Sequence, residues 1–268
     1  MRAISWVAVN VFKESVRDRV PYNLALFAVL LIAASYLIGQ LTAGQDVKII
    51  KDLGLAATAV FGLFIAIFIG IGLVSKEVER RSIYGLISKP ISRPQFVVGK
   101  YAGLVLTLAV NVAVMTVALY AVLAYMTYTE SEAFRAGWDA PGVDPRMLKA
   151  VVLIFIELMI VTAIALFFST FSTPLLSAAL TFGLFIVGHF NADLKNFDQI
   201  VESAPAVWLA RAVYHIVPDF SAFDVKTEVV HGLPVPAAYL ATTAAYGLVY
   251  IAALLAVAVI VFSRRDFK

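Results

Sequence analysis

Six long apolar runs dominate the chain, and each is closed by a short polar or charged stretch. A helix crossing a bilayer needs about 20 largely apolar residues, because it rises about 1.5 Å per residue through roughly 30 Å of hydrocarbon. The runs predict spans at about 22–41, 53–74, 101–126, 150–171, 175–190 and 237–262. The fifth is short. A single helix over 150–190 would reach roughly 60 Å, twice the hydrocarbon core. Pro174, after Ser172-Thr173, also interrupts any helix running through that stretch. Two spans joined by a tight turn are therefore expected.

Residues 2–19 carry a different pattern. On a helical wheel Ile4, Val7, Ala8, Val11, Phe12 and Val16 share one arc, and Arg2, Asn10, Lys13, Glu14 and Arg17 share the opposite one. That predicts an amphipathic helix lying on the membrane surface, with the Trp6 indole at headgroup level. Residues 191–236 are too long for a bare turn, and apolar side chains from Phe197 to Tyr214 are scattered among polar ones. One or two short helices on the outer face, ended near Pro218, are expected there.

Composition agrees with this pattern. Of 268 residues, 62% are hydrophobic and 15% charged, against roughly 25% charged in soluble domains. No soluble core could hide that much apolar surface, so the fold class is an all-α integral membrane protein, one membrane domain over 1–268. The first apolar run is longer than a signal-peptide core and reads as a retained span. There is no cysteine, which excludes disulfides, thiolate metal sites and cysteine nucleophiles. No Lys/Arg run is interleaved with stacking aromatics, so no nucleic-acid partner is expected.

Charge decides orientation. Segment 2–19 has net charge +2, 76–100 has +4 and 263–268 has +2, while 172–174 is neutral. On the other side 42–52 is neutral, 127–149 has −1 and 191–236 has −3. Positive loops stay cytoplasmic. Both termini and the 76–100 loop are thus expected inside, and 191–236 outside.

The 76–100 loop has its own syntax. Lys89-Pro90 stops any helix through 76–88, since the residue before proline avoids helical geometry. Ser92 and Gln95 then have capping-box spacing, with Pro94 in the first turn. The third helix should start near Arg93, well below the membrane. Helix, break, helix makes a stiff elbow.

Glu77, Glu79, Arg80, Arg81, Ser82 and Leu86, followed by Pro90, Ser92, Arg93, Gly99 and Lys100, give this loop a form that resembles the first cytoplasmic loop of ABC-2-type transporter permeases. The ending Phe262-Ser263-Arg264-Arg265-Asp266-Phe267 is similar to that family's C-terminus. The stretch Tyr214–Phe220, with Phe223-Asp224, is similar to its multicopper-enzyme-maturation branch. The resemblance implies a dimer of permease chains, identical or not, each docking a separate cytoplasmic ABC ATPase through those eleven loop residues. It also implies a location in the prokaryotic plasma (inner) membrane. ATP and Mg would be held by the ATPase. This chain has no phosphate loop of its own: its only Gly-Lys, Gly99-Lys100, is followed by Tyr101 and has Pro94 where the first glycine should be.

Three further features are candidates for function. Thr58, Gly62, Ala66 and Gly70 form a small-residue stripe every four residues, suited to close helix packing, within the subunit or at a dimer seam or transport path. Glu157 is the single acid inside a span, and its cost requires a protein or water partner, such as Asn111 or Thr107 on another span. His189, His215 and His231 are separated by 26 and 16 residues, which fits no local metal-ligand spacing, so no metal site is expected. There is no His-Glu-x-x-His or Gly-x-Ser-x-Gly, and no enzyme activity is expected. A six-span assembly protein without ATP coupling is the alternative reading, in which 76–100 serves only topology and lipid contact.

Overall fold

The computed structural model describes residues 2–17, 19–39, 46–79, 92–191 and 203–264, with the helical backbone alone at 72–79. Among these residues the chain is all helical. The elements are α1 (Arg2–Arg17), α2 (Arg19–Gly39), α3 (Asp46–Glu79), α4 (Arg93–Thr129) and α5 (Glu132–Arg135). They continue with α6 (Met147–Ser169), α7 (Pro174–His189), α8 (Ala204–Ile216), α9 (Lys226–Val230) and α10 (Ala237–Arg264). A 3-10 turn, Ser221–Phe223, precedes α9.

Among the described residues five helices are long and apolar enough to cross a bilayer: α2, Val47–Ile71 within α3, α4, α6, and Ala237–Ser263 within α10. Where the short fifth span was expected the chain forms α7, apolar but only 16 residues long and not one of the five. The second span differs from expectation at its start. It begins about seven residues before 53, where Lys48 and Lys51 both find partners: Lys48 pairs with Asp139 at 2.6 Å at the surface, and the fully buried Lys51 donates to the Pro141 carbonyl at 2.7 Å.

Helix α6 is the core. It is buried over 72% of its apolar window, against 28% for α2 and 22% for α10; the latter two therefore present most of their surface to lipid. The small-residue stripe of α3 faces α6. A Cβ added at Gly62 would strike the Leu158 side chain, and one at Gly70 would lie 2.6 Å from Ala165 Cβ. Thr58 and Ala66 are buried on the same face. In lipid, such close approach replaces the hydrophobic drive that holds helices together in water. The stripe thus packs within the subunit.

Helix α1 is packed against the bundle. Val7 and Val11 are buried because α1 packs on the N-terminal half of α4, where Gly99 and Gly103 admit it: an added Cβ would be 2.8 Å from Val7 Cβ and 2.6 Å from the Ala8 carbonyl. Val16, placed on the apolar arc, is exposed with Trp6 and Val9. In the 191–236 segment a helix expected to end near Pro218 is present as α8, which closes at Ile216. Phe220 and Phe223 are 0% exposed, so residues 218–230 dip among α6, α7 and α10 as a plug.

Candidate functional site

Two regions gather polar chemistry, one at each end of the bundle. The first is the start of α4. Gln95 accepts the Ser92 backbone N–H at 3.2 Å, fixing where the helix begins. From there Arg93, Phe96 and Lys100 project along one stripe, three and four residues apart, toward the end of α10. The Arg93 guanidinium donates through Nη1 to the Phe262 carbonyl at 3.2 Å and the Ser263 carbonyl at 2.8 Å. The Phe96 ring stacks on Phe262 with centroids 5.9 Å apart. The Lys100 ammonium, 1% exposed, sits 4.8 Å over the Phe96 ring, a cation–π contact strengthened by burial.

Of the loop residues singled out by sequence, Ser92, Arg93, Gly99 and Lys100 thus meet parts of their own chain: the cap, the last helix, α1 and the Phe96 ring. Glu77 and Glu79 belong to the final turn of α3. Arg80, Arg81, Ser82, Leu86 and Pro90 lie outside the described residues.

The second region is the outer plug. Its walls are α7, α6 and α10. The Phe220 N–H donates to the Gly188 carbonyl at 3.1 Å, an approach open only because residue 188 has no side chain: an added Cβ would lie 2.6 Å from the Pro218 carbonyl. Three tyrosines of α10 hold the plug backbone. Tyr250 donates to the Ile216 carbonyl at 2.6 Å, Tyr239 donates to the Ala222 carbonyl at 2.8 Å, and Tyr246 accepts the Asp219 N–H at 3.0 Å. Phe185 and Phe220 lie 5.3 Å apart and both flank the His189 ring.

Beneath the plug lies Glu157, 6% exposed. Its Oε1 is 3.5 Å from His189 Nε2. The expected partners do not reach it: the Asn111 amide donates to the Thr107 carbonyl, and the Thr107 hydroxyl to the Gly103 carbonyl, both on their own helix. His189 Nδ1 lies 3.3 Å from the Phe185 carbonyl. A carbonyl only accepts, so Nδ1 carries hydrogen. Nε2 is then the ring nitrogen that faces the Glu157 carboxyl. On the plug, Lys226 and Asp224 form a 3.4 Å ion pair. No local signal marks the Glu157–His189 pair, whose members are 32 residues apart on different helices.

The other histidines are elsewhere. His215 and His231 each turn Nδ1 to a carbonyl four residues back in their own helices. Among the described residues no group of three or more acids and histidines is placed to hold a metal ion. A cavity of about 150 Å³ at the outer end is lined by Lys48, Lys51, Trp138 and Asp139 among others.

Among the described residues, an all-helical bundle with five helices long and apolar enough to cross a bilayer has the form of a multi-pass membrane protein. Residues 5–267 match the ABC-2 family transporter proteins, and the chain belongs to that family. No curated protein matches it significantly.

Proposed function

We propose that this ABC-2 membrane component is the permease subunit of an ATP-driven, exporter-type transporter in a prokaryotic plasma membrane. It pairs with a second permease chain and docks a separately encoded ABC ATPase on the side carrying both termini and the 76–100 loop. The family match over 5–267 carries this reading. ATP and Mg bind the partner. The only Gly-Lys of this chain is buried inside α4, Gly99 against Val7 and Lys100 over Phe96, where no nucleotide can reach it.

In this reading the two regions have different tasks. Glu77, Glu79, Arg80, Arg81, Ser82, Leu86 and Pro90 form the docking surface. Ser92, Arg93, Gly99 and Lys100 fix the start of α4 against the bundle, so that a push on the loop moves helices instead of bending a linker. The plug closes the outer end. Within the family we propose the maturation-permease branch, on the likeness of Tyr214–Phe220 and Phe223-Asp224, the stretch that enters the plug.

Purification from native membranes tests the central part. An ABC ATPase is expected to accompany the chain and to be lost in Arg81→Glu. Stable isolation of the intact chain from its native membrane with no nucleotide-binding partner would contradict the proposal.

A further inference from the structure

The last four carbonyls of a helix have no partner within it, and they carry the negative end of its dipole. In α10 two of them, on Phe262 and Ser263, accept from the Arg93 guanidinium. One cation from the first turn of α4 therefore caps the last turn of α10. Hydrogen bonds from a charged donor are roughly twice as strong as neutral ones, and the Phe96–Phe262 stack, backed by the Lys100 ammonium, fixes the two helices side by side.

We infer that Arg93 is a positioning residue for energy coupling: a latch that makes the cytoplasmic end of the last span follow the start of α4. The inference rests on the coupling role proposed for the 76–100 loop. It adds a route. Motion imposed on the loop enters α4 at Ser92 and passes through Arg93 to α10, the helix whose tyrosines hold the outer plug. The Arg93 contact, beside the Phe96–Phe262 stack, thus links the loop to the plug along one helix of 28 residues. Arg93 is exposed at the bundle surface, so its replacement leaves the core packing intact.

The chain has no cysteine, so label pairs can be introduced cleanly. Two pairs share Leu175→Cys, 83% exposed at the start of α7: one adds Pro94→Cys to follow α4, the other Ser263→Cys to follow α10. Distances are measured by electron-spin resonance in lipid, in the complex with its ATPase and with one labelled chain per complex, before and after trapping with ATP and vanadate. With Arg93 present, both distances shift on trapping. In Arg93→Met the Pro94 shift persists while the Ser263 shift falls by at least half, and Arg93→Lys restores part of it. An unchanged Ser263 shift in Arg93→Met overturns the latch alone. No shift at Pro94 with Arg93 intact overturns the coupling reading, and the latch with it.

Discussion

The two ends of the bundle are held by different chemistry. At the start of α4 the contacts are a charged cap, an aromatic stack and two glycine-mediated helix approaches. At the outer plug they are tyrosine hydroxyls on backbone groups, three phenylalanine rings and the approach of His189 to Glu157. The first set is built on continuous helices and behaves as a rigid joint. The second holds a segment of short turns, a 3-10 turn and the five-residue helix α9, by bonds to its backbone and by buried rings. In the proposed function the first end transmits displacement and the second yields to it. Regions that move in function are drawn from the less stable parts of a fold.

Substitutions should separate these ends by size of effect. The largest loss is expected from Phe220→Ala, which removes a fully buried ring at the centre of the plug; such truncations cost about 3–5 kcal/mol. Hydrogen exchange should place the loss in 216–231 while α4 and α6 remain protected. Equal loss of protection at both ends would show that the plug is not a separate unit.

Next comes the joint. Gly103→Val sets a branched side chain against the Ala8 carbonyl and Val11, and overpacking of this kind costs about 1–3 kcal/mol. Gly183→Ala is the control, since an added Cβ there meets nothing within 4 Å; it should be neutral or gain up to about 1 kcal/mol of helix propensity. Thermal unfolding in detergent reads both. The joint is wrongly described if Gly103→Val matches the control.

A smaller effect is expected from Tyr250→Phe, which deletes one hydroxyl donor to Ile216 and should cost about 1 kcal/mol. It should raise exchange at the plug and leave α1 and α4 unchanged.

The smallest concerns pH. The Lys48 ammonium, first by its hydrogen bond and then by its charge, holds the Asp139 carboxyl below the usual carboxylate range. A depressed carboxylate contributes stability that is present above its unfolded pKa and is lost as pH falls through its folded pKa. The outer loop should therefore loosen slightly on the acid side of the ordinary carboxylate range, and Asp139→Asn should remove that dependence. The pair is solvent-exposed, so raised salt should also weaken it.

The same contrast explains what the sequence revealed. The start of α4 was legible because its signals are local: Ser92, Pro94 and Gln95 lie within one turn and specify a helix beginning at Arg93. The spans were legible from hydropathy, with α3 extended by lysines whose partners, Asp139 and Pro141, lie about 90 residues away. The plug was not legible. The pattern marked a helix ending near Pro218 and no more, since nothing local says that Gly188 leaves room for Phe220. Glu157 announced its need for a partner but not which one. Asn111 and Thr107 were plausible by depth, yet both satisfy their own helix, while His189 was set aside with the other histidines. Arg93 was noticed as part of a loop motif, and its contact with a helix 170 residues later could come only from the fold.

The account stands on the sidedness of these ends, and single cysteines measure it directly. Pro94→Cys marks the joint, and Tyr128→Cys, 90% exposed near the far end of α4, marks the plug side. In intact cells a membrane-impermeant maleimide should label Tyr128→Cys at once and Pro94→Cys only after permeabilisation. Labelling of Pro94→Cys from outside, with Tyr128→Cys protected, would contradict it.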